Sequence, residues 1–388
     1  MNTVRPDLLI FGGGIAGLWT LLRARQAGYS VLLLESRVLG GVQSIASQGI
    51  IHGGTKYALK GRLSGSAQSI AAMPDIWRAC LQGKGELDLS AVRLLSGHQY
   101  LWSSGSLSSG VAGLFASKLM RSRVQAVSAP DLPAPFDAPG FHGSLYRLQE
   151  PVLDTASLMH HLADQALPYC WKYDPADLSV ENGMVRIGDT QLQPGKILLT
   201  AGEGNAGLLA AWGLKKPKMQ KRPLHMVMLK ARLPAIFAHC LGASANPRLT
   251  ITSYPLGEGK QIWYLGGQLA EEGVRRDTNE QIAAAGSELA RLLPWVAVRD
   301  AAWATLPIQR AEVATPGGKR PQESFVGEAG DLLVAWPTKL AFAPRLAAEV
   351  LARLKAAGQL SPDGGPFEMP LSRPALASLP WETVRSWS

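Results

Sequence analysis

Gly12-Gly13-Gly14-Ile15-Ala16-Gly17 is a glycine pattern that can hold a pyrophosphate. An apolar run, Leu8 to Phe11, enters it. A helix-like segment and a second apolar run, Val31 to Leu34, follow and end on Glu35. This is G-x-G-x-x-G set between a strand and a helix, with an acid after the next strand. The glycines let the chain turn sharply and bring backbone N–H groups against a phosphate at the helix N-terminus. Glu35 stands 23 residues after Gly12 (35 − 12), where a carboxylate accepts hydrogen bonds from a ribose. The chemistry written here is the binding of a dinucleotide.

Past Glu35 the chain does not proceed to further βα units. It runs through Ser36-Arg37-Val38-Leu39-Gly40-Gly41, then Ser44 to Ser47, and then Gln48-Gly49-Ile50-Ile51-His52-Gly53-Gly54-Thr55-Lys56-Tyr57. This stretch resembles the D-amino-acid-oxidase superfamily of FAD enzymes. It is most similar to the glycerol-3-phosphate dehydrogenase and 2-hydroxyglutarate dehydrogenase branches, which carry a similar Ile-His-x-Gly loop. The likeness is specific over residues 7–60 and patchier afterwards. It implies FAD as cofactor, held by Gly12, Gly14, Ile15, Ala16, Gly17, Glu35, Ser36, Gly41, Ser47 and Gln48. Lys56 and Tyr57 match positions that bind a substrate phosphate or carboxylate in the resembling families.

Two later segments extend the resemblance. Lys196-Ile197-Leu198-Leu199-Thr200-Ala201-Gly202 is an apolar strand ending in small residues, as where backbone passes close to a cofactor. It is similar to the second FAD-binding signature, which assigns Ala201 and Gly202 to the cofactor. Leu332 to Leu340 resembles the last FAD-contacting segment, a strand followed by a helix N-terminus, and assigns Thr338 and Leu340. Relatives have glycine where this chain has Trp336-Pro337, whereas Thr338-Lys339-Leu340 resembles a Gly-Lys-Leu-Thr tract. The family's Gly-x-Arg-Pro element is replaced by Thr305-Leu306-Pro307-Ile308-Gln309-Arg310, so its arginine is displaced.

The elements between these motifs read as follows. Residues 60–80 form a helix with Ile70, Met73, Ile76 and Trp77 on one face, and 87–102 are strand material turning at Ser96-Gly97. Residues 103–139, rich in Ser, Gly, Ala and Pro, read as an insertion or loop over the site. Asp154 is placed to cap a helix through Ala166. Residues 222–270 alternate as antiparallel strands, 278–294 form a helix stopped by Pro294, and a strand runs from Ala301 to Leu306.

A flavin oxidises an alcohol or amine by taking a hydride from carbon, and the heteroatom's proton must also be removed. His52 is the candidate catalytic group at the flavin edge, as base or as flavin neighbour. Arg310 and Lys339 are candidate anion clamps, since arginine offers a planar fork and lysine a point charge. A solvated surface role is the competing reading for each. The other histidines show no metal-ligand spacing, and no metal is expected.

Composition sets the outer bounds. With 388 residues, 46% hydrophobic and 18% charged, the chain can fold into two joined units. Cys80, Cys170 and Cys240 are too few and scattered for a disulfide framework, which points to a reducing compartment, the cytoplasm. No leader-like stretch opens the chain and no run approaches a membrane span. The net charge of +9 concentrates between Lys215 and Arg232, and again at Lys118, Arg121 and Arg123, where Leu114, Lys118 and Arg121 share a helical face. A solvated surface, an anionic substrate or peripheral contact with the inner face of a membrane would each suit it. Nucleic acid is the least supported partner, because no recognised binding motif accompanies the charge.

The expectation is an α/β, two-domain, glycine-oxidase-like protein. Residues 1–85, 150–222 and 310–360 form a discontinuous Rossmann-like FAD domain, 86–149 and 223–309 a mixed or antiparallel substrate domain, and 361–388 a tail. The reaction implied is oxidation of a small anionic 2-hydroxy acid or a glycerol 3-phosphate-type alcohol. Electrons would pass to a quinone, a carrier protein or oxygen. Oxidation of an amine or amino acid is the alternative on the same fold. The alternative from another class is a flavoprotein acting on a macromolecule such as tRNA through residues 215–232.

Overall fold

The computed structural model describes residues 3–54, 70–103, 124–181, 183–242, 246–357 and 365–388. Lys56 and Tyr57, residues 60–69 of the expected 60–80 helix and the basic face around Leu114 to Arg123 lie outside them; the rest of that expected helix carries Met73–Leu81.

The apolar runs read from the sequence assemble into one six-stranded sheet. Its order is Cys170–Lys172, Val31–Glu35, Leu8–Phe11, Lys196–Leu199, Leu332–Trp336 and Phe325–Ala329. The first five strands are parallel and only the last is antiparallel. Strands buried on both faces have no polar side to show, hence their unbroken apolar sequences. Alternation along each strand sends Leu8, Ile10, Leu33, Leu198 and Leu333 to one face. There they meet helices Ile15–Gln26, Thr155–Ala166 and Ala343–Ala357. Leu9, Phe11, Leu32, Leu34 and Leu199 point the other way, onto Val185, Ile187 and Leu192 of a small four-stranded sheet. Asp154 caps its helix as expected, accepting from the Ser157 N–H at 3.0 Å.

The second large sheet has eight strands, in the order Ala302–Val313, Met219–Arg232, Lys260–Gly266, Leu249–Gly257, Ala238–Cys240, Gln99–Ser103, Ser144–Leu148 and Val124–Val127. All pairings are antiparallel except Ala238–Cys240 with Gln99–Ser103. Val227, Leu229, Ile251 and Trp263 face helix Thr278–Leu292 through Ala285 and Leu289. That helix starts on a capping box of Asp277 and Glu280. The opposite face turns Met226, Met228, Tyr254 and Tyr264 towards the core beneath the parallel sheet. The two sheets therefore share one interior.

Several boundaries differ from the sequence expectation. The strand expected to end at Leu306 continues to Val313, because it is the sheet's edge strand and an edge tolerates Pro307. Strands Met219–Arg232 and Ala302–Val313 run across the expected domain limits at 222/223 and 309/310. Within residues 87–102 the expected turn at Ser96-Gly97 separates two short strands, Leu94–Ser96 and Gln99–Ser103, and the strand material begins only at Leu94. The C-terminal tail is structural. Ala375–Leu376 pairs with Val38–Leu39, Trp381 packs 4.3 Å from the Tyr254 ring, and Ser388 exchanges backbone hydrogen bonds with Trp303.

The three cysteines are free and buried, and burial pushes the Cys170 and Cys240 thiols up to about 12. No helix among the described residues is long and apolar enough to cross a membrane.

Candidate active site

The carboxyl ends of four parallel strands open into one cavity of about 770 Å³. Gly12 follows the first strand, Glu35 ends the second, Ala201 follows the third, and Pro337 follows the fourth. Ligands of open α/β sheets sit at this edge. Among the described residues, every site residue expected from the sequence lines the cavity except Gly17.

The three motif glycines have different duties. Gly12 adopts φ +104°, and a Cβ there would lie 2.5 Å from the Ala201 Cα. A Cβ on Gly17 would lie 1.9 Å from the Gly12 carbonyl oxygen, so Gly17 serves the packing of helix on strand. Gly14 has an ordinary φ of −75° and faces the cavity, where Ser44 Oγ alone comes near, at 3.1 Å. The helix beginning at Ile15 has no acid in its first turn. Its N-terminal dipole is thus left to a phosphate, and this end of the cavity fits a dinucleotide pyrophosphate. Ser44, which accepts from the Ile15 N–H at 2.9 Å, was not legible as a site residue.

Glu35 is held ready by the backbone. One carboxylate oxygen accepts from the Gly13 N–H at 2.6 Å and the other from the Arg37 N–H at 2.7 Å. Tyr173 lies beyond it on the cavity wall, pushed up to about 12 by burial and then by the Glu35 charge, so it stays a neutral phenol.

The Thr200–Gly202 turn is tied to its neighbours. Thr200 Oγ1 donates to the carbonyls of Phe11 and Gly12 at 3.1 and 3.0 Å. Asn205 accepts from the Ala201 N–H at 2.7 Å and donates to the carbonyls of Leu199 and Ala335. Trp336 donates through Nε1 to the Gly202 carbonyl at 3.0 Å. The indole thereby braces two of the cofactor-side turns. Thr338 takes φ +60°, a costly conformation for a β-branched residue (about 1–3 kcal/mol), and its hydroxyl donates to the Glu323 carbonyl.

At the other end the cavity is walled by the eight-stranded sheet. Gln48 reaches across to the Tyr264 carbonyl at 2.9 Å, and Gln43 accepts from the Ala311 N–H at 3.1 Å. Leu224, Met226 and Ile308 supply an apolar wall. Arg310 projects from mid-strand rather than from a strand end. It donates to the Arg222 carbonyl at 3.1 Å and lies 3.4 Å from Glu271. Burial, then Arg222 and Arg320, push its guanidinium down to about 10, which still leaves it cationic at neutral pH. Lys339, also on the wall, donates to the Gln322 carbonyl at 3.5 Å and stands 4.9 Å from the Phe342 ring. Arg320, Glu271, Asn246 and His239 complete this end and were not singled out from sequence.

His52 also reaches this cavity, stacked on His239 with ring centroids 5.3 Å apart. Three members of the basic stretch have partners within the protein, while Lys215, Lys216, Lys218, Lys221 and Arg232 remain exposed. Lys221 pairs with Glu203, Arg222 with Glu271 and Glu312, and Lys230 sits over the Trp387 ring at 4.4 Å.

The comparisons with known proteins agree with this geometry. A family model described as FAD dependent oxidoreductase, DAO, matches residues 7–304, and the chain belongs to that family of FAD-dependent oxidoreductases. It is 49% identical over 388 residues to the probable FAD-dependent oxidoreductase PA4991 of Pseudomonas aeruginosa, covering 99% of each chain. The crystal structure of PA4991 superposes with a TM-score of 0.85, over 98% of this chain and 99% of that one, at 43% identity. Glycine oxidase from Geobacillus kaustophilus superposes at 0.67, with 15% identity over 94% of this chain and 99% of the other. L-alpha-glycerophosphate oxidase from Mycoplasma pneumoniae, with FAD bound, superposes at 0.64, with 15% identity over 98% and 100%. An amine-oxidising and an alcohol-oxidising relative thus fit nearly equally, and the overall fold does not single out the expected branch.

Proposed function

We propose that this FAD-dependent oxidoreductase oxidises a small carboxylate or similar anion at a CH–OH carbon, with hydride transfer to the flavin. The supporting observation is that Arg310, Arg320 and Lys339 all line the cavity, with Arg310 and Arg320 close enough for the second charge to lower the pKa of the first. Beside the apolar wall of Leu224, Met226 and Ile308, a few fixed cations can orient an anion strongly. We assign Gly12, Gly14, Ile15, Ala16, Glu35, Ser36, Gly41, Ser47, Gln48, Ala201, Gly202, Thr338 and Leu340 to the cofactor, with Gly17 acting through packing. When bound, the flavin supplies the hydride acceptor. In this reading residues of the eight-stranded sheet hold the substrate and the parallel sheet holds the nucleotide, with strands Met219–Arg232 and Ala302–Val313 shared between the two units. Electrons would leave to a quinone, a carrier protein or oxygen.

A second reading is favoured by Glu271. Its carboxylate lies on the same wall, 3.4 Å from Arg310, where it can meet an ammonium while the arginine holds a carboxylate. That is the pattern of an amino acid, and the glycine oxidase relative is consistent with it.

Binding tests the anion site directly. Titrating the holoenzyme with glycolate and glycine perturbs the flavin spectrum if either enters. Arg310→Ala is expected to weaken that binding roughly 10- to 100-fold, the loss of one charge-assisted hydrogen-bond pair. Unchanged binding in the variant would place the anion elsewhere.

A further inference from the structure

His52 is backed by a buried carboxylate that no feature of the nucleotide site explains. Glu150, 4% exposed, has Oε2 3.6 Å from His52 Nδ1. Its other oxygen accepts from the Gly53 N–H at 2.7 Å, and Gln99 Nε2 donates to Oε2. The carboxylate is therefore held by a neutral donor on each oxygen. Burial of an ionised carboxylate is expensive unless it is both hydrogen-bonded and opposed by a positive charge. Gly53 and Gln99 meet the first need, and a protonated His52 meets the second. Across the ring, His239 stacks with an interplanar angle of 22°, its own Nδ1 hydrogen-bonded to Thr250 Oγ1 at 2.8 Å. Two imidazolium rings in that stack would repel each other in a partly buried place.

We propose that Glu150 is the positioning residue for His52, and that His52 and His239 accept one proton between them, with Glu150 directing it to His52. The proposal rests on the cavity being the site of substrate oxidation. As a hydride leaves the substrate carbon for the flavin, the hydrogen on the adjoining oxygen or nitrogen departs as a proton. Its bonding pair stays behind to complete the C=O or C=N bond. With Nδ1–H turned to Glu150, His52 Nε2 is the basic nitrogen that takes this proton, and Glu150 stabilises the resulting imidazolium. Titratable groups meeting the ring include Glu150, from the segment after strand Ser144–Leu148, and His239, from strand Ala238–Cys240.

The experiment is a pH titration of imidazole NMR signals in FAD-loaded protein carrying 13C-histidine, without substrate. His52→Gln and His239→Gln identify the two signals. Glu150→Gln is expected to lower the His52 midpoint by about one pH unit or more, and Glu150→Asp to restore most of it. His239→Gln is expected to raise the His52 midpoint. Gln99→Leu, which keeps the carboxylate, is expected to leave the midpoint well above that of Glu150→Gln. A folded, yellow Glu150→Gln protein with an unmoved His52 midpoint would overturn the positioning role. If that variant does not fold, an unmoved His52 midpoint in both Glu150→Ala and His239→Gln overturns the proposal. Because no substrate is present, these outcomes are independent of whether glycolate or glycine binds.

Discussion

Gly14→Val is expected to give a folded but colourless protein, whereas Gly17→Val is expected to give little folded protein at all. The contrast follows from where each new side chain would go. At Gly14 the backbone is unstrained and only Ser44 Oγ is near, so the fold can accommodate the change. The valine would instead occupy the space beneath the helix N-terminus and block the approach of a phosphate to backbone N–H groups. A loss of FAD affinity of at least about 100-fold, roughly 3 kcal/mol, is expected, read as flavin retained through gel filtration. At Gly17 even a Cβ meets the Gly12 carbonyl at 1.9 Å, and that carbonyl also accepts from Thr200. Neither strand nor helix can yield without breaking the sheet edge, so a cost of about 3 kcal/mol or more is expected. Circular dichroism melting separates the two outcomes. A yellow Gly14→Val protein would contradict the placement of the pyrophosphate.

His52→Ala is expected to bind FAD normally and to reduce it slowly. Removal of a positioned base lowers such a step by roughly 10²- to 10⁴-fold. The expected signature is a fall in the limiting rate of anaerobic flavin reduction with little change in substrate half-saturation. A drop in affinity alone would make His52 a binding residue. The ring is not deeply embedded in the apolar core, so the variant should fold.

The cofactor half of the site was legible because its rules are local. Gly12 to Gly17, Glu35 and the strand into Ala201 each carry their meaning within a few residues, and the parallel sheet follows from their apolar runs. The resemblance to a family supplied the order in which they join. The substrate half was less legible because strand pairing assembles it across long separations. Register sets Arg222 opposite Arg310, and Ala238–Cys240 beside Gln99–Ser103, which brings His239 to His52. Nothing adjacent to His239 in sequence marks it. Arg310 was found as a residue but misplaced as to setting, since Pro307 reads as a strand end until the strand is known to lie at an edge. Trp336, set apart in the sequence by its bulk, lines the cavity and braces Gly202 through its indole N–H.

Anaerobic flavin bleaching is the most direct test of the central claim. The holoenzyme would be mixed with small hydroxy acids and amino acids, and in parallel with neutral analogues in which the carboxylate is replaced by an amide. Loss of the flavin's visible absorbance with the acids but not with their amides is the expected result. Preference for hydroxy acids over amino acids would decide between the two readings of Glu271. Equal bleaching by acids and amides would contradict the anion-oriented site built on Arg310, Arg320 and Lys339.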